Sequence, residues 1–245
     1  MIIKVNHRQV LFDELYANRG KDSGGLPEDY SGSPDPSLFI TSPVLRRIVS
    51  DFSKKYTDIS FSDFETLLDS LYKGKYTTEK YTASFLLGKF HKHRKQLNPE
   101  KLDEWLNYLN GWAQIDTLCQ STFTSEDMDL KWPEWLKLIR RFSIENKQSL
   151  RAWGAKSKRR ASLVLLTGPV RNSTDPKFRD LAFENIEKLK GEKDILITKA
   201  VSWLLRSMIK NHRVEVSEYL KRNKDNLPKI AVREALRKLT TGRKS

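Results

Sequence analysis

Apolar residues recur at intervals of three and four along most of the chain, which is the spacing of one buried face of an α-helix. The clearest examples form three sets: Phe61, Phe64, Leu67, Leu68 and Leu71; Leu102, Trp105, Leu106 and Leu109; and Leu196, Ala200, Trp203 and Leu204. No stretch keeps the strict apolar–polar alternation of a half-buried strand, and no Asn-Gly hairpin lies between two such stretches. The pattern predicts an all-α chain.

Capping signals place the starts of several of these helices. Ser42-Pro43, Asn98-Pro99 and Asp175-Pro176 each combine a residue that favours the N-cap with a proline at the first helical position. Ser60 and Asp63 stand at the spacing of a capping box. These four signals predict helix starts close to residues 42, 60, 98 and 175.

Residues 20–37 are rich in glycine and proline, and therefore predict a loop or linker. We expect a short N-terminal helix within 1–19, around Gln9 to Asn18, and a body of 38–245, the whole forming a single domain. Helical hairpins of about 40 residues favour a HEAT-like repeat superhelix, an α-solenoid with a long concave surface. The repeat assignment depends on helix rhythm, because no strict sequence repeat is visible.

The formal net charge of the 245-residue chain is +14, and 38% of its residues are hydrophobic. Such a positive excess attracts polyanions, so nucleic acid is the first partner to consider. An anionic membrane surface is the second, and a merely solvated basic surface is the third.

The same composition argues against several kinds of site. Cys119 is the single cysteine, so an internal disulfide and a thiolate zinc site are excluded. His91 and His93 lie two apart, on different sides of a helix, and no glycine-rich phosphate loop is present. We expect no metal and no cofactor.

The longest aliphatic run, 163–166, is too short to span a bilayer, so we expect a protein of a reducing, cytoplasmic compartment.

Trp112 and Asp116 are the first candidate pair for chemistry. They lie four residues apart, so a helix places them on one face. An indole face and a carboxylate both attract positive charge, and together they could hold a cation. The alternative is a core tryptophan beside a surface aspartate.

Two further segments could contact an anion. The run Lys156 to Ser162 reads as a basic helix start leading into a buried helix, where cations oppose the helix dipole and could bind a phosphate. In the run Lys199 to Arg206, Trp203 and Arg206 lie three apart and can share a face. A solvated basic turn and a core tryptophan are the corresponding alternatives.

Taken in order, these segments resemble the bacterial DNA alkylation repair family of HEAT-like-repeat glycosylases, the AlkD type, from about Tyr30 onward. The matching motifs are Trp112-x-x-x-Asp116, Arg160-Ala161, Lys199-Ala200-x-x-Trp203-x-x-Arg206 and Arg233-Glu234-Ala235. The chain departs from the family pattern at Phe39, where the family often has glycine before the equivalents of Pro43 and Arg46. It also departs at Gly111 and Ala113, which flank Trp112 in place of tryptophan and aspartate.

The resemblance implies a monomeric DNA glycosylase, of the bacterial cytoplasm and nucleoid, that releases cationic N3- or N7-alkylated purines from duplex DNA bound to a basic concave surface. It implies the catalytic residues Asp116, Trp112 and Trp203. It implies the DNA-binding residues Arg160, Arg159, Lys158, Arg206, Tyr30, Arg46 and Arg233. Two alternatives are a HEAT-repeat protein without catalysis that recognises bent, branched or damaged DNA, and a helical scaffold for acidic protein partners.

Overall fold

We describe the protein from a computed structural model, in which residues 5–21, 32–120, 122–145 and 152–243 are described, the side chains of 152 and 153 excepted. Every regular element in these ranges is an α-helix, which confirms the all-α fold class. In chain order the helices are α1 (His7–Ala17), α2 (Ser42–Lys55), α3 (Phe61–Tyr72), α4 (Thr77–Lys89), α5 (His91–Gln96), α6 (Lys101–Leu106), α7 (Trp112–Cys119), α8 (Ser125–Leu130), α9 (Trp132–Ser143), α10 (Ala152–Thr167), α11 (Pro169–Asn172), α12 (Pro176–Leu189), α13 (Ile195–Met208), α14 (Arg213–Asn223) and α15 (Lys229–Thr241). None of these helices is long and apolar enough to cross a membrane.

The chain forms two compact units, Met1–Leu118 and Cys119–Ser245. In the first unit α4 packs against α2, α3 and α5, and α1 packs against α2 and α3. Leu11 and Leu15 of α1 are fully buried. The N-terminal helix therefore contributes to the core of this unit. The predicted domain boundaries at 19 and 37 stay a prediction.

Helix α4 is buried on nearly all sides, although its first turn is polar. Thr77, Thr78, Glu79 and Lys80 are all at most 7% exposed. Glu79 accepts a hydrogen bond from Arg8 at 2.9 Å and from the backbone N–H of Tyr76 at 3.0 Å. Buried polar groups require such partners, because burial without a hydrogen bond is costly. The first turn of α4 is consequently fixed by contacts with α1 and with the preceding loop.

In the second unit α13 packs against α10, α12 and α15, and α10 also packs against α9 and α12. The aliphatic run from Leu163 to Leu166 is completely buried in α10. Four consecutive buried residues cover every side of a helix, so this part of α10 lies in the interior of the packed helices. Each unit, taken by itself, is a stack of packed helices, as expected for an α-solenoid.

The capping signals are confirmed at two of the four predicted helix starts. The Ser60 Oγ accepts the backbone N–H of Asp63 at 3.0 Å, and Asp175 accepts the N–H of Lys177 at 2.9 Å. At residue 42 the helix begins one residue earlier than predicted, so that Thr41 is the N-cap. Asn98 instead closes a turn ahead of α6, because its Oδ1 accepts the N–H of Glu100.

Of the predicted loop, residues 20–21 and 32–37 are described and none of them is helical, and the segment 32–37 contacts α4. The carbonyl of Pro36 accepts the N–H of Thr77 at 2.9 Å, and the N–H of Leu38 donates to Thr78 Oγ1 at 3.1 Å. Phe39 follows with a φ of 52°, in the left-handed region that favours glycine. Glycine, which the family often has at this position, would adopt this backbone without strain.

Candidate active site and nucleic-acid contacts

Helix α7 carries the predicted carboxylate and the first predicted tryptophan. Trp112 is its first residue and is partly exposed, whereas Asp116, one turn later, is only 8% exposed. Ile115 and Leu118 of the same helix are almost fully buried. The expected placement of Trp112 and Asp116 one helical turn apart is therefore present. The alternative of an aspartate on an open helix surface does not fit the burial of Asp116.

The backbone of Gly32 lies against the indole of Trp112. A Cβ atom placed on Gly32 would come within 3.1 Å of Trp112 Cδ1, which is closer than most real contacts. Gly32 also has a φ of +65°, a conformation that other residues adopt only with strain. The loop before α2 thus contacts one edge of the indole and limits where the ring can lie.

Gln114, between Trp112 and Asp116, joins a buried polar cluster that sequence reasoning missed. Its Oε1 accepts the N–H of Asn110 at 2.9 Å, and its Nε2 donates to Ser33 Oγ at 2.8 Å and to Asp35 Oδ2 at 2.9 Å. Nε2 also contacts Thr77 Oγ1. Gln114 itself is 1% exposed. No periodic signal marks this residue, because its partners lie up to 81 positions away along the chain.

Asp35 is the anionic centre of this cluster. Its carboxylate pairs with Lys80, which is 4% exposed, and accepts the side-chain amide of Asn110 at 2.9 Å. Burial alone would raise the pKa of Asp35. Hydrogen bonds from Lys80, Gln114 and Asn110, together with the positive charge of Lys80, outweigh burial and hold the pKa below its ordinary value.

Tyr81 of α4 is a second residue that the sequence did not indicate. Burial raises the pKa of its phenol, a hydrogen bond with Thr77 opposes that shift, and the negative charge of Asp116 raises the pKa further. An electrostatic effect of this kind requires that the two side chains lie near one another. Tyr81 is therefore part of the polar surroundings of the Asp116 carboxylate, within the first unit.

The basic run Lys156 to Arg160 lies in the second and third turns of α10, since that helix begins at Ala152. The expectation of a basic helix start is wrong in this respect. Lys158, Arg159 and Arg160 are each at most 9% exposed.

The carboxylates and carbonyls that surround this run explain how it is buried. Arg159 Nε lies 3.3 Å from Glu192, and its Nη1 donates to the carbonyl of Glu145 at 3.0 Å. Lys158 lies 3.5 Å from the Glu145 carboxylate, and Arg160 donates to the carbonyl of Leu196. These cations link α10 to the segment after α9, to the turn before α13 and to the first turn of α13. DNA binding by Arg160, Arg159 and Lys158 stays a prediction.

Two of the motifs that carried the resemblance contact one another in the second unit. Trp203 is partly exposed on α13, and Arg206, one turn later, has a side chain that is 11% exposed. Arg206 Nε lies 3.2 Å from the carboxylate of Glu234, which also accepts Ser202 Oγ at 2.5 Å. The Arg-Glu-Ala motif of α15 thus supports the last arginine of the α13 motif.

Positive charges crowd around the end of α13. Lys238 donates to the carbonyl of Arg206 at 2.8 Å, and Arg171 donates to Ser207 Oγ at 3.2 Å. Burial lowers the pKa of Lys238, and the nearby charges of Arg171 and Arg206 lower it further. Repulsion among three cations favours the binding of an anion at this position.

Two of the remaining predicted DNA contacts, Arg46 and Arg233, are exposed side chains. Arg46 of α2 is exposed, and its guanidinium lies over the ring of Phe85 at 4.3 Å. Arg233 of α15 is exposed, and Tyr30 lies outside the described residues. Within the described part of the chain, no group of three or more His, Cys, Asp or Glu side chains is arranged to hold a metal ion.

Comparison with known proteins agrees with the resemblance that the motifs indicated. The family described as DNA alkylation repair enzyme matches residues 28–239, which include α2 to α14 and nearly all of α15. A search of curated proteins finds no match. Because the match extends over far more than half of the chain and contains each motif quoted above, this protein belongs to the DNA alkylation repair enzyme family.

Proposed function

We propose that this protein is a DNA glycosylase that hydrolyses the N-glycosidic bond of cationic N3- or N7-alkylated purines in duplex DNA. The observation that carries the proposal is the carboxylate of Asp116, 8% exposed and one helical turn after the partly exposed indole of Trp112. Membership of the DNA alkylation repair enzyme family supports it. No cofactor is needed for this hydrolysis.

A single carboxylate suffices because of the chemistry of the substrate. An N3- or N7-alkylated purine already carries a positive charge and leaves as a neutral base. No general acid is then required to protonate the leaving group, in contrast to glycosidases that use two carboxyl groups. As the glycosidic bond lengthens, positive charge moves onto the deoxyribose, and Asp116 stabilises that oxocarbenium ion and positions the attacking water.

The size of this effect follows from the separation of the charges. At about 4 Å and an effective dielectric constant of about 20, a pair of opposite charges interacts by roughly 4 kcal/mol. Only the part that develops in the transition state accelerates the reaction. If half or more of the interaction develops there, the acceleration is about 30- to 1,000-fold.

Trp112 and Trp203 contact the sugar and backbone of the damaged nucleotide in this proposal. Each indole face adds about 0.5 to 2 kcal/mol through its attraction for developing positive charge. Both side chains are partly exposed, which leaves ring surface for such contact. Contact with the sugar, as the family resemblance implies, would tolerate bulky adducts better than a closed pocket for the base.

The phosphate contact near the lesion is assigned to Arg160, contacts with the DNA backbone to Arg206 and Tyr30, and further DNA contacts to Arg46, Arg233, Lys158 and Arg159. Arg46 and Arg233 are exposed. The crowding of Arg206 with Arg171 and Lys238 supports an anion beside Arg206. Lys158 and Arg159 already pair with carboxylates, so their contribution to DNA binding should be smaller.

The deciding experiment is release of 7-methylguanine from a duplex oligonucleotide, measured under single-turnover conditions with Asp116→Asn beside the wild type. Asparagine keeps the shape and removes the charge. We expect excision to fall at least tenfold while the Kd for the same duplex changes less than threefold. Asp58→Asn makes the same change at an exposed position and should excise at the wild-type rate.

Two results would contradict parts of the proposal. Equal excision by Asp116→Asn and the wild type would remove Asp116 from the mechanism. A wild-type protein that binds the methylated duplex and releases no base would instead support the alternative of a DNA-binding protein without glycosylase activity.

A further inference from the structure

Gln114 and the candidate pair Trp112 and Asp116 lie on different faces of α7. In an α-helix, residues four apart share a face, whereas a residue two positions away points to the other side. Trp112 and Asp116 therefore share one face, and Gln114 lies on the opposite one. The Gln114 amide is 1% exposed and has partners in the loop before α2, in α4 and in the turn before α7.

The loop before α2 contacts α7 at both of these faces. Gly32 lies against the Trp112 indole, while Ser33 and Asp35 accept hydrogen bonds from Gln114. Helix α7 has eight residues, and the loop adds polar contacts to the apolar packing of its buried residues Ile115 and Leu118. Contacts on two faces from one short loop fix that rotation, and with it the directions of Trp112 and Asp116.

The hydrogen bonds within the cluster also restrain the position of Gln114. Lys80 pairs with Asp35, and Asn110 donates its backbone N–H to Gln114 and its side-chain amide to Asp35. Loss of any one partner would leave a buried charge or a buried amide unsatisfied. The network therefore favours one rotation of α7 over its neighbours by hydrogen-bond geometry rather than by apolar packing alone.

We propose that Gln114 and Asp35 are positioning residues, which hold α7 so that Trp112 and Asp116 face the damaged nucleotide. This inference rests on the proposed glycosylase function for its consequence in catalysis. The orientation of α7 itself is a property of the protein without DNA, and can be measured separately.

Exchange of donor and acceptor provides the test. Gln114→Glu keeps the size of the side chain but places a second carboxylate beside that of Asp35. Asp35→Asn removes the anionic partner of Lys80. The double variant Asp35→Asn/Gln114→Glu restores a donor–acceptor pair between the two positions, keeps one carboxylate for Lys80 and retains the wild-type net charge.

Two readouts are needed, one of them independent of catalysis. In protein labelled with 5-fluorotryptophan, the ¹⁹F resonance of Trp112 is identified by its loss in Trp112→Phe. We expect Gln114→Glu to shift or broaden that resonance and the double variant to restore it. Single-turnover excision at saturating protein should fall at least tenfold in Gln114→Glu, with a Kd within threefold of wild type, and return to within threefold in the double variant.

The outcomes separate this inference from the proposed function. An unchanged Trp112 resonance in both single variants would overturn the positioning role, whatever the excision rates. A shifted and restored resonance in a protein whose wild type releases no base would uphold the positioning of α7 and contradict the glycosylase proposal. Gln96→Glu, at an exposed position on α5, is the matched control and should alter neither readout.

Discussion

Replacement of Gly32 by alanine would test the contact between the loop and Trp112 most directly. Gly32 has a φ of +65°, and a side chain in this left-handed conformation lowers the free energy of unfolding by about 1–2 kcal/mol. Alanine also restricts the unfolded chain, which raises the free energy of unfolding by roughly 0.4–1 kcal/mol and offsets part of that loss. Its Cβ would also lie 3.1 Å from Trp112 Cδ1, so the indole must shift by a few tenths of an ångström. We expect a free energy of unfolding lower by about 1–2 kcal/mol, since an off-rotamer indole adds about 0.5–1.5 kcal/mol to the backbone penalty.

The catalytic consequence can be estimated from the same shift. A displacement of about 1 Å can cost about 100-fold in rate, so a few tenths of an ångström should cost about three- to fivefold. Urea unfolding and single-turnover release of 7-methylguanine measure the two effects.

Two other glycines separate backbone strain from the contact with the ring. Gly242 has a φ of +72°, and a methyl group added there would have no other atom within 4 Å, so Gly242→Ala should lower stability by about 1 kcal/mol at unchanged excision. Gly88 lies in α4 with open space around it, and Gly88→Ala should raise stability by about 0.5–1 kcal/mol. If Gly32→Ala behaves in both assays as Gly242→Ala does, the loop does not constrain Trp112 and the reasoning fails.

Two further predictions concern stability. Phe39 has a φ of 52°, so Phe39→Gly should be more stable than Phe39→Ala by about 1 kcal/mol in urea unfolding. At the neighbouring Ile40 the order should be reversed, with the alanine variant more stable than the glycine variant. The same order at both positions would contradict backbone strain at Phe39. The pKa of Asp35 is lowered on folding, so the stability it contributes is present above the unfolded value of about 3.9 and is lost as pH falls through the folded value. The difference in free energy of unfolding between the wild type and Asp35→Asn should therefore shrink as the pH falls below about 5, and a difference that stays constant would show that Asp35 is not held as a carboxylate.

The parts of the fold that the sequence predicted are those governed by local interactions. The capping contacts of Ser60 and Asp175 join residues two or three positions apart, and both are present. The apolar face that includes Leu102 and Trp105 follows from helical periodicity alone, and both residues are fully buried. Such features need no knowledge of the rest of the chain, because the partner lies within a single turn.

The buried polar residues could not be predicted, because their hydrogen-bond partners lie far away along the chain. The run Thr77 to Lys80 has the composition of an exposed turn, yet it is buried, because Asp35 and Arg8 reach it from 45 and 71 positions away. Gln114 is buried for the same reason, through a partner 81 positions away. The sequence marked Trp112 and Asp116 by their spacing, but the contact of Gly32 with Trp112 and the hydrogen bond of Gln114 with Asp35 became visible only with the tertiary structure.

The basic segment of α10 shows that a run of positive residues in the sequence need not form a positive surface. Arg159 and Glu192 form a pair in which both side chains are at most 10% exposed. Two charges taken out of water in this way are balanced mainly against one another, and little of their field extends into solvent. Attraction for a polyanion should therefore come chiefly from cations that keep their exposure, such as Arg46, Arg233 and Lys199.

This division assigns different tasks to the two kinds of cation. Exposed arginines and lysines can release counterions from DNA and so set the salt dependence of binding, since each phosphate that is neutralised contributes to the slope. Partly buried cations such as Arg206, which Glu234 already supports, are held in one geometry and are better suited to locate one phosphate than to increase affinity in general. Under the proposed glycosylase function, the exposed cations would provide attraction to any duplex, whereas selection of the damaged nucleotide would depend on a few side chains that carboxylates and amides inside the protein hold in place.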